Sequence, residues 1–102
     1  MSALSTGDII GVALDADNGQ IKFNKNGGSF GSDLTFATNN NGYHVAIDMR
    51  TSSGTSKVEA NFGNPTFSIS SGNSDGNGFG NFEYAPPTNY FSLCSFNLAE
   101  YG

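Results

Sequence analysis

Apolar and polar residues alternate with a period of two along the early part of the chain, which is the spacing of β-strands. The run Ile9–Leu14 is apolar on both of its faces, so we expect it to be covered on both sides. The return run Gln20–Asn24 places Ile21 and Phe23 on a single face. Between the two runs, Asn18-Gly19 is the dipeptide of a tight hairpin turn with positive φ. The pattern predicts a β-hairpin, which needs a further sheet to be stable.

Further strands are predicted later in the chain. Tyr43–Arg50 and Lys57–Phe62 both alternate around a polar turn, so we expect them to pair with each other. Tyr90–Phe96 is the last predicted strand, and a short one is expected near Leu34–Phe36. Helical periodicity is missing, apart from one turn at the C-terminus. The chain is therefore predicted to be all-β.

The composition is typical of a small β-rich module. The 102 residues suffice for one domain, expected to span residues 1–102 with a lead segment over residues 1–6. Fourteen glycines and only 13% charged residues favour turns and short strands over helices. Nine Phe and four Tyr residues are available for a core.

The charge balance disfavours two classes of partner. Four basic residues oppose nine acidic ones, which gives a net charge of −5, and no basic stripe is present. Nucleic-acid binding and attraction to anionic membranes therefore have no support. The longest apolar run, Ile9–Leu14, is too short for insertion into a membrane. The single Cys94 cannot form an intrachain disulfide, which fits a reducing cytoplasm.

The sequence contains no constellation typical of catalysis. His44 is the only histidine, and no nucleophile elbow accompanies it. Asp48 and Glu59 would face each other across the predicted strands, as a glycosidase requires. Arg50 and Lys57 lie beside them and make an ion-pair surface the simpler interpretation. We therefore expect a non-enzymatic protein without a cofactor.

Two polar loops have a superficial likeness to calcium sites. Asp15–Gly19 lacks the glycine and glutamate spacing of an EF-hand. In the glycine-rich loop Ser70–Gly80, the alternating residues Asn73, Asp75 and Asn77 offer oxygen ligands. A solvated loop is the simpler interpretation, and we predict no metal site.

Loops rich in amides and aromatic rings are the candidate binding sites, because amides hydrogen-bond hydroxyl groups and rings stack on apolar faces. Two such loops are Asn39–Tyr43 and Asn73–Phe79. The candidate ligand-binding residues are Asn39, Asn40, Tyr43, Asn73, Asp75, Asn77 and Phe79. The simpler alternative, that both loops are solvated turns, stays open.

Three blocks of the sequence resemble the SPRY family. GDIIGVALDADNGQIKFNKNG resembles its core hairpin, VEANFGNPTF a later strand that runs into Asn-Phe-Gly, and FEYAPPTNYFSL its closing strand after Pro-Pro. YHVAIDMR stands where the family has its preceding core strand. The resemblance implies an antiparallel β-sandwich of the SPRY or concanavalin-like kind, used for binding. The family's opening strands have no counterpart before Gly7, so we expect the sandwich to need a partner or the rest of a longer chain.

The Asn-, Gly- and Ser-rich loops and the C-terminal NLAEYG are similar to SPRY-like modules in virion proteins of tailed bacteriophages. This likeness implies a structural or adhesive component of a fibre, tail or capsid surface, in a virion assembled in the host cytoplasm. Its partners would be other virion proteins, copies of itself, or a glycan or protein on the host surface. Two alternatives stay open: a cellular SPRY-type protein-interaction module, and a glycan-active enzyme on a β-sandwich.

Overall fold

The computed structural model describes residues 4–38, 42–43, 46–47, 54 and 57–101. Residues 100 and 101 are described by their backbone only. Strands β1 (Ile10–Asp15), β2 (Gln20–Lys25) and β3 (Leu34–Thr35) form one antiparallel sheet in the order β1-β2-β3. The helix found in these residues, α1 (Ser95–Tyr101), is short. The prediction of the all-β class is confirmed at this coarse level.

The predicted hairpin is confirmed, but its turn differs from the expected one. β1 and β2 pair from Ile10 with Lys25 to Asp15 with Gln20, which leaves the loop 16–19 between them. Gly19 has a positive φ of 66°, whereas Asn18 does not have a positive φ, so the tight Asn-Gly turn predicted here is wrong. The physical reason for the longer loop is hydrogen bonding to the side chain of Asp15. The Asp15 carboxylate accepts hydrogen bonds from the Asn18 backbone N–H at 3.2 Å and from its Nδ2 at 2.8 Å, and these stabilise the longer loop.

A tight Asn-Gly turn does occur, at the other end of β2. Asn26 and Gly27 have φ values of 51° and 74°, and the Gly28 N–H donates to the Lys25 carbonyl at 3.0 Å. These are the features of a type I′ turn. The chain then returns beside β2 and enters β3, so the short strand predicted near Leu34–Phe36 is confirmed.

The strand predicted at Lys57–Phe62 is not formed. This segment pairs with no strand, and Val58 and Phe62 are both exposed. Strand propensity reflects packing on a half-buried sheet surface, and the described part of the chain supplies no such surface here. The strand predicted at Tyr43–Arg50 lies mostly outside the described residues.

The last predicted strand, Tyr90–Phe96, is also wrong, because its end belongs to α1. The Leu98 N–H donates to the Cys94 carbonyl at 2.9 Å and so closes the first helical turn. Leu98, Ala99 and Glu100 are good helix formers, and their intrinsic preference outweighs the alternation just before them.

The two faces of the sheet are covered very differently. On one face Ala13 is 2% exposed and is the buried hydrophobic residue among those described. The Lys22 Nζ lies on this face too, 5.5 Å from the ring centroid of Phe30 and 5.0 Å from that of Tyr90. Two aromatic rings from outside the sheet therefore cover its polar face.

The opposite face of the sheet is apolar and open. Alternation and register place on it residues from all three strands, namely Ile10, Val12, Leu14, Ile21, Phe23 and Leu34. Val12 is 58% exposed and Leu34 56%. The described part of the chain therefore covers β1 on one side, and the prediction that its other side is covered by a partner or by the rest of a longer chain stays a prediction. We call this surface the apolar face.

An irregular layer in the second half of the chain is built around Gly63. The Asn61 side chain accepts a hydrogen bond from the Gly63 N–H and donates one to the Asn81 carbonyl, both at 2.8 Å. Gly63 has a φ of 125°, and a Cβ there would lie 2.9 Å from the Ser92 Cβ. Only glycine fits at position 63, because a side chain there would collide with Ser92. The Asn-Phe-Gly motif therefore packs closely against the chain near positions 81 and 92.

Candidate functional site

Three polar residues that are distant in sequence are buried together. Asp75, Ser92 and Asn97 are 6%, 5% and 5% exposed. The Asp75 Oδ2 accepts hydrogen bonds from the Ser92 N–H at 2.8 Å, the Ser92 Oγ at 2.9 Å and the Asn97 Nδ2 at 2.9 Å. The Asn97 Nδ2 also donates to the Ser92 carbonyl at 2.8 Å. We call these three residues the Asp75 cluster.

The loop that carries Asp75 is closed by its own hydrogen bonds. The Asp75 Oδ1 accepts from the backbone N–H groups of Asn77 at 2.9 Å and Phe79 at 3.0 Å. The Gly78 N–H donates to the Asp75 carbonyl at 3.0 Å, and Gly78 has a φ of 82°. This is a hairpin loop in which a turn is followed by a positive-φ glycine. The glycine-rich sequence therefore forms a specific turn around the carboxylate.

The electrostatics of the cluster favour an ionised Asp75. Burial acts to raise the pKa of this carboxyl group, because it penalises the charged form. Hydrogen bonds from the backbone N–H groups of Ser92 and Phe79, and from the side chains of Asn97 and Ser92, outweigh burial and hold the pKa well below its usual range. Asp75 is therefore a carboxylate at neutral pH, with no proton to donate as a general acid and with both oxygens already hydrogen-bonded.

The other predicted residues of this loop also have partners within the protein. The Asn73 N–H donates to the Phe82 carbonyl at 2.8 Å, and its Nδ2 donates to the Glu83 carbonyl at 2.9 Å. The Asn77 Nδ2 donates to the Asn97 Oδ1 at 2.8 Å. The structure thus brings Asp75 and Asn77 together at the cluster, while Asn73 joins the strand-like segment beside it.

Phe79 lies at the end of the same loop and packs on α1. Its ring is stacked on that of Phe96, with the ring centroids 5.1 Å apart and the planes 7° from parallel. The Phe79 ring is partly buried, whereas Phe96 is 70% exposed. The aromatic surface available to a ligand is therefore that of Phe96, which the sequence assigned to a strand.

The first candidate loop is only partly described. Asn39 and Asn40 lie outside the described residues. The Tyr43 ring meets the Phe36 ring edge-on, with centroids 5.4 Å apart and an interplanar angle of 74°. Its described ring contact is thus beside β3, and not with the loop that carries Asp75.

An open cavity of about 480 Å³ lies beside the Asp75 cluster. One wall is the loop 74–77, and the other is the segment 86–89 with Phe91. The volume is within the range of small-molecule sites. Because Asp75 and Asn77 are hydrogen-bonded within the protein, the polar groups left for a ligand are those of Ser74, Thr88 and Asn89.

A second cavity, of about 310 Å³, is more apolar and lies on the other side of Ser92. Its apolar and aromatic lining comes from Phe62, Phe79, Leu93 and Phe96, with the amides of Asn64 and Asn81 at its border. Leu93 and Phe96 are strongly exposed. This surface is suited to packing against another apolar surface.

The residues considered for metal binding or catalysis do not assemble into such a site in the described part of the chain. No group of three or more His, Cys, Asp or Glu is placed there to hold a metal ion. Both oxygens of Asp75 accept N–H or O–H donors, and the Asp15 carboxylate binds Asn18 within its turn. Asp48 and His44 lie outside the described residues, and the Glu59 carboxylate lies 3.5 Å from the Lys57 Nζ.

Ser92 and Asn97 were not among the residues predicted from the sequence. The sequence places Ser92 within the predicted strand Tyr90–Phe96 and Asn97 in the segment after it, where a polar residue is expected to be solvated. Their burial depends on Asp75, which is 17 residues before Ser92. The only local signal is the run Leu98-Ala99-Glu100, which favours a helix and so predicts that Asn97 is helical.

No helix among the described residues is long and apolar enough to cross a membrane. No family model, curated protein or solved structure matches this chain. Its function is therefore inferred from its own residues and surfaces.

Proposed function

We propose that this chain is a non-enzymatic structural or adhesive module of a bacteriophage virion, built as a SPRY-like β-sandwich that is completed by association. The observation that carries the proposal is the apolar face, where Val12 and Leu14 of β1 and Leu34 of β3 are exposed and the β2 residues between them are half-buried. Single exposed apolar residues are common on monomers, but a contiguous set on a sheet is typical of an interaction surface.

The burial of the described residues also supports association. Among them, Ala13 is the buried hydrophobic residue, whereas Val12, Leu14 and Leu34 on the apolar face are exposed. Burial of this face against other chains would supply the core that the described part of the chain lacks.

The Asp75 cluster supports a structural role for the loop Asn73–Phe79. A carboxylate that accepts five hydrogen bonds from its own chain fixes the positions of the groups around it. In this proposal the cluster replaces part of a hydrophobic core, and it holds α1 and the exposed Phe96 in place. An adhesive contact with a host glycan or protein would then use the rims of the two cavities.

The test is a search for the chain in purified particles. Mass spectrometry of gradient-purified particles is expected to find the chain in a fixed ratio to the major particle proteins. Complementation in trans adds a matched pair of variants: Val12→Lys on the apolar face should be lost from the particles, whereas Val58→Lys, equally exposed but outside the sheet, should be retained.

Other results would overturn the proposal. Absence from the particles, together with saturable binding of the chain to a short peptide, would favour a cellular protein-interaction module. Turnover on a glycan panel that is lost in Glu59→Gln would favour a glycan-active enzyme.

A further inference from the structure

We infer that β1 pairs edge to edge with β1 of a second copy of this chain, so that two sheets join into one continuous antiparallel sheet. This inference rests on the proposed function, in which the chain acts by association, and it names the partner and the contact. The strand order β1-β2-β3 makes β1 an outer strand.

The outer edge of β1 has backbone groups that no other segment of the described chain uses. The Asn26 N–H donates to the Ile9 carbonyl at 2.7 Å, so the backbone of Ile9 faces the β2 side. Alternation in an antiparallel pair then turns the N–H and C=O groups of Ile10, Val12 and Leu14 away from β2. Among the described residues, no backbone hydrogen bond from outside the hairpin reaches these groups.

The edge of β1 is self-complementary. In an antiparallel pair of two β1 strands, one register places Val12 opposite Val12 and Ile10 opposite Leu14 of the other copy. In that register all three outward-facing residues of each strand meet outward-facing residues of the other, so every pair exchanges hydrogen bonds. The sequence Ile-x-Val-x-Leu is apolar in both directions, as a two-fold axis requires.

The charges at this edge do not oppose a second copy. Each chain carries a net charge of −5, so most pairs of surfaces on two copies repel each other. The only charged residue within β1 is Asp15, which in this register lies opposite Ile9. No two acids then face each other. Monomers normally protect an edge with lysine, proline or a bulge, and β1 contains no lysine or proline and pairs with β2 without a gap.

Edge pairing also extends the apolar face. Val12 and Leu14 are on that face, and the two-fold axis places them beside Val12 and Ile10 of the other copy, which are on the same face. The area of contiguous apolar surface is doubled, and this larger surface is what the other chains of an assembly would cover. A partner of unrelated sequence would provide neither the symmetric pairing of Val12 with Val12 nor a continuous apolar face across both sheets.

The decisive variant is Val12→Pro, compared with Val12→Thr. The Val12 N–H faces outward, so proline removes one edge donor and adds a steric block without breaking the bonds between β1 and β2. Threonine has nearly the same shape and keeps the N–H. In sedimentation velocity at micromolar concentration, the parent and Val12→Thr should be dimers. Val12→Pro should dimerise at least tenfold more weakly, with an unchanged circular dichroism spectrum.

A cross-link tests the register and remains informative if the proline variant unfolds. In a Cys94→Ser background, Val12→Cys should form a disulfide-linked dimer under mild oxidation, because the paired Cα atoms would be about 5.5 Å apart. Asp17→Cys, at the exposed hairpin loop, should dimerise like the parent but form no disulfide link between copies. A parent that is monomeric, or a dimer that Val12→Pro leaves intact and Val12→Cys does not link, would overturn the inference. The proposed function would still be decided separately, by the presence of the chain in particles.

Discussion

The Asp75 carboxylate and the Ser92 hydroxyl lie 2.9 Å apart, both buried, although 17 positions separate them in the sequence. A hydrogen bond to a charged acceptor contributes more than one between neutral groups. The described part of the chain buries one hydrophobic residue, Ala13, and three polar ones. This pair is therefore central to the stability of the second half of the chain.

Asp75→Asn should destabilise the protein strongly. The substitution keeps the size of the side chain but removes its charge, and it places an NH₂ group against N–H donors. We expect the free energy of unfolding to fall by about 1.5–3 kcal/mol, the range for hydrogen bonds to charged groups. Urea denaturation measures this loss. Asp33→Asn, at an exposed position, is the control, and equal midpoints for the two variants would contradict the structural role of the cluster.

Stability should decrease in acid, and Asp75 should account for much of the decrease. Its pKa lies below the ordinary value of 3.8 because the hydrogen bonds of the cluster outweigh the effect of burial. The unfolded chain therefore binds a proton at a higher pH than the folded one does. The stabilisation is present above about pH 4 and is lost as the pH falls towards the folded pKa.

Thermal unfolding between pH 5 and pH 2 checks this prediction. The melting temperature of Asp75→Asn should depend less on pH than that of the parent. Glu83→Gln is the comparison, because the Ser70 side chain also lowers the pKa of Glu83, but at a more exposed site. If Glu83→Gln flattened the profile as much as Asp75→Asn, the assignment to Asp75 would be wrong.

Gly19 should tolerate no side chain, for two separate reasons. Its φ is 66°, and a Cβ would lie 2.4 Å from the Phe36 carbonyl oxygen. Gly78 has a φ of 82° but has nothing within 4 Å of the Cβ position. A substitution there therefore tests the effect of positive φ without a steric collision. Gly78→Ala should cost about 1–2 kcal/mol for the left-handed backbone. Gly19→Ala should cost about 1 kcal/mol more than Gly78→Ala. The added Cβ would disturb the hydrogen bond from the Phe36 N–H to the Gly19 carbonyl, which attaches the chain after β3 to the hairpin.

Gly19→Val should be worse than Gly19→Ala, since a β-branched residue is the least suited to positive φ. Chemical denaturation of the three variants gives the ranking. If Gly19→Ala and Gly78→Ala lowered the free energy of unfolding equally, the chain would be able to move Phe36 away from position 19 without losing stability.

Lys22 should stabilise the fold through its charge over the rings of Phe30 and Tyr90. Lys22→Met keeps most of the aliphatic stem and removes the charge, so we expect a loss of about 1 kcal/mol from two cation–π contacts. Lys57→Met is the matched control, because Lys57 is solvated and its ion pair among the described residues is with the exposed Glu59. Thermal unfolding of both variants separates the two cases, and an equal effect would exclude a specific role for the rings.

The local part of this structure could be predicted from the sequence. Alternation and turn residues depend on neighbours within a few positions, so β1, β2 and the short β3 were all located correctly. The type of the first turn was not, because Asn18 is held by Asp15 rather than by its own preference for a tight turn. The sequence also singles out the loop Asn73–Phe79 as a candidate ligand site, which stays a prediction, but it does not indicate the hydrogen bonds from Asp75 to Ser92 and Asn97.

Which groups are buried could not be predicted from local patterns. Alternation marks Val12 and Leu14 as apolar, but it does not say whether another layer covers them, and in this chain they are exposed. In the same way, no local pattern indicates that Asp75 is buried with Ser92 and Asn97, because burial of a carboxylate requires donors that arrive from distant segments. Turns and the side chains that share a strand face follow from residues close in sequence, so they can be predicted. Which face is covered depends on contacts between distant segments, and these exist only in the folded chain.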